Sequence, residues 1–135
     1  MTQSQIDSAL AKIKAWYVEN YPLCVFCGHR VRRGDLAHLI RRSSSRDLQT
    51  HLLNTGLAHR DCHDLFDNDP EQAQYLPRIV EVMYIIYLLD IEYFYQLAGK
   101  MPELSPAFEL FPMIPDMGIL HHGELVTLHY LYTSI

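Results

Sequence analysis

Cysteine is scarce: three occur in 135 residues. Any disulfide scheme leaves one thiol over, so a disulfide framework is not expected and metal ligation is the better use for them. Long apolar runs are missing too. The longest, Val82 to Leu89, is closed by Glu81 and Asp90, far short of the ~20 residues that span a bilayer, so no transmembrane helix and no membrane partner are expected. The start MTQSQIDSAL lacks the basic and apolar regions of a signal peptide, and the expected location is cytoplasmic. No internal repeat is visible. What remains is ordinary globular composition, 49% hydrophobic and 20% charged, in one domain's worth of chain, which excludes disorder over any long stretch.

Positive charge is also in deficit, with a net of −5, but the deficit lies in one half. Residues 1–66 hold nine Lys and Arg against six Asp and Glu, whereas residues 67–135 hold two against ten. A phosphate-binding surface needs local positive potential rather than a positive whole chain, so the first half stays open to nucleic acid.

Ile6, Leu10, Ile13 and Tyr17 recur at three- and four-residue spacing, which predicts an amphipathic helix over residues 4–20, stopped by Pro22. Short strands are expected over 34–40 and 52–58, flanking the polar loop RRSSSRDLQT, with a helix beginning near Arg60 or Asp61. Over 77–99 apolar residues fall on nearly every face, which predicts one helix, buried on most sides and capped by Gly99. Four prolines in 102–115 read as a linker or short turns. Residues 121–132 suit a final helix starting near Gly123, although LVTLHYLY also suits a strand.

Cys24 and Cys27 form a CxxC pair, and His59 and Cys62 form an HxxC pair after 31 intervening residues. Each spacing lets a tight turn aim two side chains at one ion, and two such pairs complete the tetrahedral thiolate and imidazole set that Zn²⁺ prefers. Gly28 fits the turn, and His29 is read as a surface histidine. With all four positions filled by protein, this zinc would be structural. Any chemistry has to come from elsewhere.

Around and between the two pairs stand GDLAHLI, the basic loop and LLNTGLAHRDCHDLFD. A histidine ending a strand, an asparagine in the returning loop and a Cys-His pair opening a helix resemble, in that order, the HNH endonuclease family with its ββα-metal fold. AHLI followed by NTGLAHRDCHDLFD is similar to the restriction and phage type. The resemblance spans residues 24–67, about a third of the chain. It implies that His38 is the general base, that Asn54 ties the loop so that His38 is oriented, and that His63 binds a catalytic divalent metal. An imidazole can deprotonate water near neutral pH, and a cation can neutralise charge on the scissile phosphate. Four residues apart on a helix, His63 and Asp67 would share a face and hold one ion together, Asp67 being a hard ligand suited to Mg²⁺ or Mn²⁺.

One departure concerns the metal. Many members carry an aspartate or histidine just before the base as a further ligand, and here Ala37 stands there. Asp35 lies on the same strand face but would be too distant to substitute without a bulge, and Asp64 is a weaker candidate.

Arg41, Arg42 and Arg46 follow the base and are expected to contact the flanking phosphates, with Arg32 and Arg33 extending the patch. The expected fold is α+β. An N-terminal helix and a zinc-stapled ββα-metal HNH core occupy residues 1–70. A mainly helical acidic extension over 71–135 packs on the core or forms a homodimer interface through the 77–99 helix. The expected function is a metal-dependent endonuclease or nickase hydrolysing phosphodiester bonds in DNA, with RNA left open. The alternative is a catalytically inactive, zinc-stabilised HNH-like module that binds nucleic acid or protein.

Overall fold

In the computed structural model, which describes residues 2–45 and 47–113, helix α1 (Gln3–Asn20) begins at a capping box. The Thr2 hydroxyl accepts from the Gln5 amide at 3.2 Å, and the Gln5 side chain accepts from the Thr2 amide at 2.8 Å. Two of the helix's orphan donors are thereby satisfied, and the start moves slightly upstream of the expected one. Ile6 and Tyr17 are buried, and the Tyr17 hydroxyl donates to the Thr55 carbonyl at 3.0 Å. That bond fastens α1 to the strand behind it, and burial pushes the phenol well above its ordinary pKa.

The sheet is one antiparallel pair, β1 (Asp35–His38) and β2 (Thr55–Ala58), in the register Asp35 to Ala58, Leu36 to Leu57, Ala37 to Gly56 and His38 to Thr55. Both strands are shorter than expected. Residues Leu52–Asn54 form a 3₁₀ turn instead of strand because their polar groups are engaged locally: Leu53 donates to the His51 ring at 3.2 Å, and the Leu52 carbonyl accepts from the Thr55 hydroxyl at 3.0 Å. The chain then enters α2 (Arg60–Asn68) and the short α3 (Pro70–Ala73).

The expected single helix over 77–99 is two helices, α4 (Ile79–Leu89) and α5 (Ile91–Ala98), broken at Asp90. Asp90 adopts an extended backbone (φ −155°, ψ 98°), and its carboxylate accepts from the Tyr93 amide at 3.1 Å. An aspartate is worth more as an N-cap than inside a helix, and here the cap wins over apolar periodicity. Six of the eleven residues of α4 are buried, as the all-round pattern predicts. Beyond α5 come short turns: 3₁₀ Pro102–Leu104, α6 (Ser105–Phe108) and 3₁₀ Phe111–Met113.

The architecture is therefore α+β, with a two-stranded sheet and six α-helices among the described residues. A single buried cluster runs from Tyr17 and Phe26 through Leu39, Leu57 and Phe66 to Val82, Ile86, Phe94 and Phe111, so both halves of the sequence share one apolar interior. Phe26 stacks on Phe66 with centroids 4.7 Å apart, and its carbonyl accepts from the Arg78 amide at 2.9 Å, just ahead of α4. No helix among the described residues is long and apolar enough to cross a membrane. Arg46 and the segment from Gly123 expected to be helical lie outside the described residues.

Candidate functional site

The cysteine knuckle is a tight hairpin. Leu23 and Arg30 pair as an isolated antiparallel bridge, Cys24 donates to the His29 carbonyl, and Gly28 donates to the Cys24 carbonyl, each at 2.8 Å. Gly28 closes the turn at φ 81°, a left-handed conformation that requires glycine, and the Arg78 guanidinium lies over it. Cys24 and Cys27 thus face one side, where His59, at the N-cap of α2, and Cys62, in its first turn, come to meet them. One ligand atom from each of Cys24, Cys27, His59 and Cys62 lies within 4.8 Å of the others. These four residues can hold a metal ion such as zinc.

The chemistry of the donor set agrees. His59 Nε2 donates to the Arg30 carbonyl at 3.0 Å, which leaves Nδ1, 3.4 Å from Cys27 Sγ, as the ligating nitrogen. Metal-binding histidines characteristically donate their second N–H in this way. The thiols resist joint ionisation. Burial acts to raise all three. At Cys24 the backbone amides of Cys27, His59 and Phe26 outweigh it and hold the thiol below its usual value. Burial and the neighbouring sulfurs push Cys27 up and Cys62 up to about 12. Three thiolates at one point need a cation among them. His29 is exposed, as expected.

On the other side of α2 a pocket of about 620 Å³ opens between α1, β1, the loop after β1 and α2; His38, His63 and Asp67 line it, with Lys14, Arg41 and Arg42. His38 ends β1, and its Nε2 lies 2.8 Å from the Gln49 carbonyl. A carbonyl only accepts, so Nε2 carries the proton in the neutral ring and Nδ1 carries the lone pair. Burial holds the His38 pKa below its ordinary value, against the Gln49 carbonyl, which raises it. Near neutrality the imidazole is uncharged and able to take a proton.

The neighbour of Gln49, Leu48, is in turn held by Asn54, which is fully buried. The Asn54 side chain accepts from the Ile40 amide at 2.7 Å and donates to the Ile40 and Leu48 carbonyls at 3.1 and 3.0 Å. It pins both ends of the polar loop, and the loop presents the carbonyl that orients His38. Gln49 Oε1 also accepts from Arg42 Nε at 3.1 Å.

His63 sits between two carboxylates. Its Nδ1 is 3.1 Å from Asp35 Oδ2 and its Nε2 is 3.0 Å from Asp67 Oδ2. Asp67, Asp35 and the field of both acids overcome partial burial and raise the His63 pKa to about 9. Asp35 reaches His63 with no bulge in β1, which pairs with β2 in unbroken register, but this contact does not make it a third ligand in place of Ala37. Asp35 lies opposite Ala58, two residues before α2 begins, and the first turn of α2 carries His63 back over it. Ala37 lies opposite Gly56, farther from that turn, and is fully buried. Arg60 steadies Asp35 through Nε at 3.0 Å. His63, Asp67 and Asp35 do not converge on one point. Among the described residues the Cys24, Cys27, His59 and Cys62 set is the one group of three or more such ligands close enough to share an ion. Asp64 is exposed and does not line the pocket.

Comparison with family models, with curated proteins and with solved structures returns no match. The functional reading rests on the chain's own geometry. Arg41 and Arg42 reach the pocket, Arg41 also donating to the Asp67 carbonyl. Arg32 and Arg33 are exposed but do not line it. Sequence reasoning missed Lys14 at the rim, although its position four residues after the apolar Leu10 puts the two on one helix face, and Leu10 lines the pocket with it. It also missed Gln49, for which no signal existed, because the functional atom is a backbone oxygen.

Proposed function

We propose that the chain is a metal-dependent endonuclease or nickase of HNH type that hydrolyses phosphodiester bonds in DNA. The observation that carries this reading is the relay from Asn54 to the loop and from the loop's Gln49 carbonyl to Nε2 of His38, which lines a pocket rimmed by cations. A pinned, neutral imidazole is what water activation requires. Lys14, Arg41 and Arg42 supply the positive potential that draws a phosphate diester to it.

In this reading His38 removes a proton from the attacking water, and the cationic rim orients the scissile phosphate and offsets its charge. Asp67 and His63, 3.0 Å apart, are the groups that would hold a divalent cation such as Mg²⁺ or Mn²⁺, with Asp35 behind His63. When bound, such a cation would neutralise charge on the phosphate and the leaving oxygen. His63 has to give up its proton to serve as a ligand, so the carboxylates that orient it also set a pH requirement. The Cys24, Cys27, His59 and Cys62 set is proposed to hold Zn²⁺ as a structural ion, since four protein ligands leave no position for water. A homodimer through α4 and α5 remains part of the proposal, supported by the exposure of Leu88, Ile91 and Tyr95.

The engagement of both His63 nitrogens by carboxylates, with Ala37 buried behind, favours a second reading: a zinc-stabilised module that binds nucleic acid or protein without cutting. Plasmid DNA incubated with Mg²⁺ or Mn²⁺ separates the two. Nicking by the parent chain that disappears in His38→Ala supports the nuclease. No nicking by either preparation, or equal nicking by both, refutes it.

A further inference from the structure

A second groove, of about 210 Å³, adjoins the His38 pocket and shares Arg41 and Asp67 with it. Its far wall is α5 with the residues just beyond, namely Tyr93, Gln96, Leu97 and Lys100. The placement of Lys100 stands out against the composition of the second half, where residues 67–135 contain two basic residues, Arg78 and Lys100. Arg78 is partly buried and committed to the Tyr21 hydroxyl at 3.1 Å and Glu81 at 3.9 Å. Lys100 is exposed, in the groove that begins at Arg41.

The rest of the lining is rich in donors. Ser44, Gln96 and the Tyr93 hydroxyl join the two cations, and that hydroxyl accepts from the Arg41 amide at 3.4 Å, so loop and helix meet across the groove. Asp67, the acid at the junction, does not oppose an anion strongly, because its carboxylate is turned to His63 and its carbonyl is taken by Arg41. Leu97, half-buried, adds a small apolar surface of the kind a sugar ring can lie on. Cations with neutral donors between them suit phosphodiester oxygens better than base edges.

We infer that this groove carries a DNA strand onward from the His38 pocket, with Lys100 contacting a phosphate that flanks the scissile one. The inference rests on the nuclease reading and adds a task for the acidic half: α5 extends the substrate track.

The test uses the zinc-loaded full chain carrying His38→Ala, so that bound DNA stays intact, and a fluorescein-labelled DNA duplex titrated over a series of salt concentrations. Adding Lys100→Ala is expected to weaken binding about three- to tenfold at low salt and to reduce the slope of log affinity against log salt by about 0.9, the value for one phosphate contact on B-DNA. Lys100→Arg restores the slope. Lys12→Ala, on an exposed lysine of α1 that lines neither groove, leaves it unchanged. Identical salt curves for Lys100→Ala and Lys12→Ala overturn the inference and leave the nuclease reading standing. Failure of the parent background to bind DNA even at low salt overturns both.

Discussion

Cys62 and His63 are neighbours in α2, yet they serve two regions built on opposite plans. Around Cys62, four ligand atoms crowd within 4.8 Å of one another. Around His63, polar groups pair off, Asp35 with one ring nitrogen and Asp67 with the other, beside a pocket of about 620 Å³. Convergence, with His59 also donating to the Arg30 carbonyl, suits a permanently held ion. Pairing beside open volume suits an occupant that comes and goes. Since one helix turn positions both, damage to the knuckle should spread to the pocket, while damage to the pocket should stay there.

The largest expected effect breaks the comparison at its rigid end. Cys24→Ser, or strong chelation, should release the metal and unfold at least the first half. Structural zinc contributes on the order of 10 kcal/mol in small domains, comparable to a whole domain's stability. Thermal melting with metal quantification checks this, and a metal-free chain with an unchanged melt would refute the structural zinc.

At the other end, His38→Ala should slow DNA cleavage by about 10²- to 10⁴-fold while the melt hardly moves. Asn54→Ala lies between the two regions in kind. It strips partners from buried backbone groups of Ile40 and Leu48 and should cost roughly 3 kcal/mol, with cleavage falling further than the lost stability explains. Chemical denaturation alongside cleavage rates separates the two contributions.

The pH dependence is subtler. Burial depresses the His38 pKa, so the base is neutral above 6.5 and is lost only as pH falls below that value. The acid limb of the cleavage profile should therefore have its midpoint below 6.5, and a midpoint above it would contradict the assignment to His38. His63 works in the opposite sense. Its pKa is raised to about 9, so its charge pairing with the two acids stabilises the fold fully below 6.5 and fades as pH climbs towards 9. Mn²⁺ affinity at the pocket should rise over the same interval, readable by calorimetry on zinc-loaded protein. The smallest effect is expected from Asp35→Asn, which leaves the knuckle intact and weakens Mn²⁺ binding about tenfold through looser orientation of His63. An affinity equal to the parent's would show that Asp35 has no such part.

The knuckle was legible in the sequence because each ligand pair is local: two intervening residues and a glycine turn suffice to aim two side chains. The bonds from Asn54 to Ile40 and Leu48 follow from no local rule, since they join residues far apart in the sequence. The pairing of Asp35 with His63 was not legible, because strand periodicity carries no information on the helix that follows the partner strand, and the turn from Ala58 into α2 decides what Asp35 can reach. The break at Asp90 was written in the sequence as a capping residue with Glu92 behind it, but the apolar run on either side masked it. The track along α5 depends on tertiary placement of a single lysine, which no periodicity reports.

The bond from the Arg78 amide to the Phe26 carbonyl makes the head of α4 a listener at the knuckle. Phe26 lies between the two cysteines, so that amide can exchange its hydrogen with solvent only when the hairpin loosens. In hydrogen-exchange terms Arg78 should be protected while metal is held and become labile on chelation, reporting the metal's presence from a position remote in sequence and bearing no ligand.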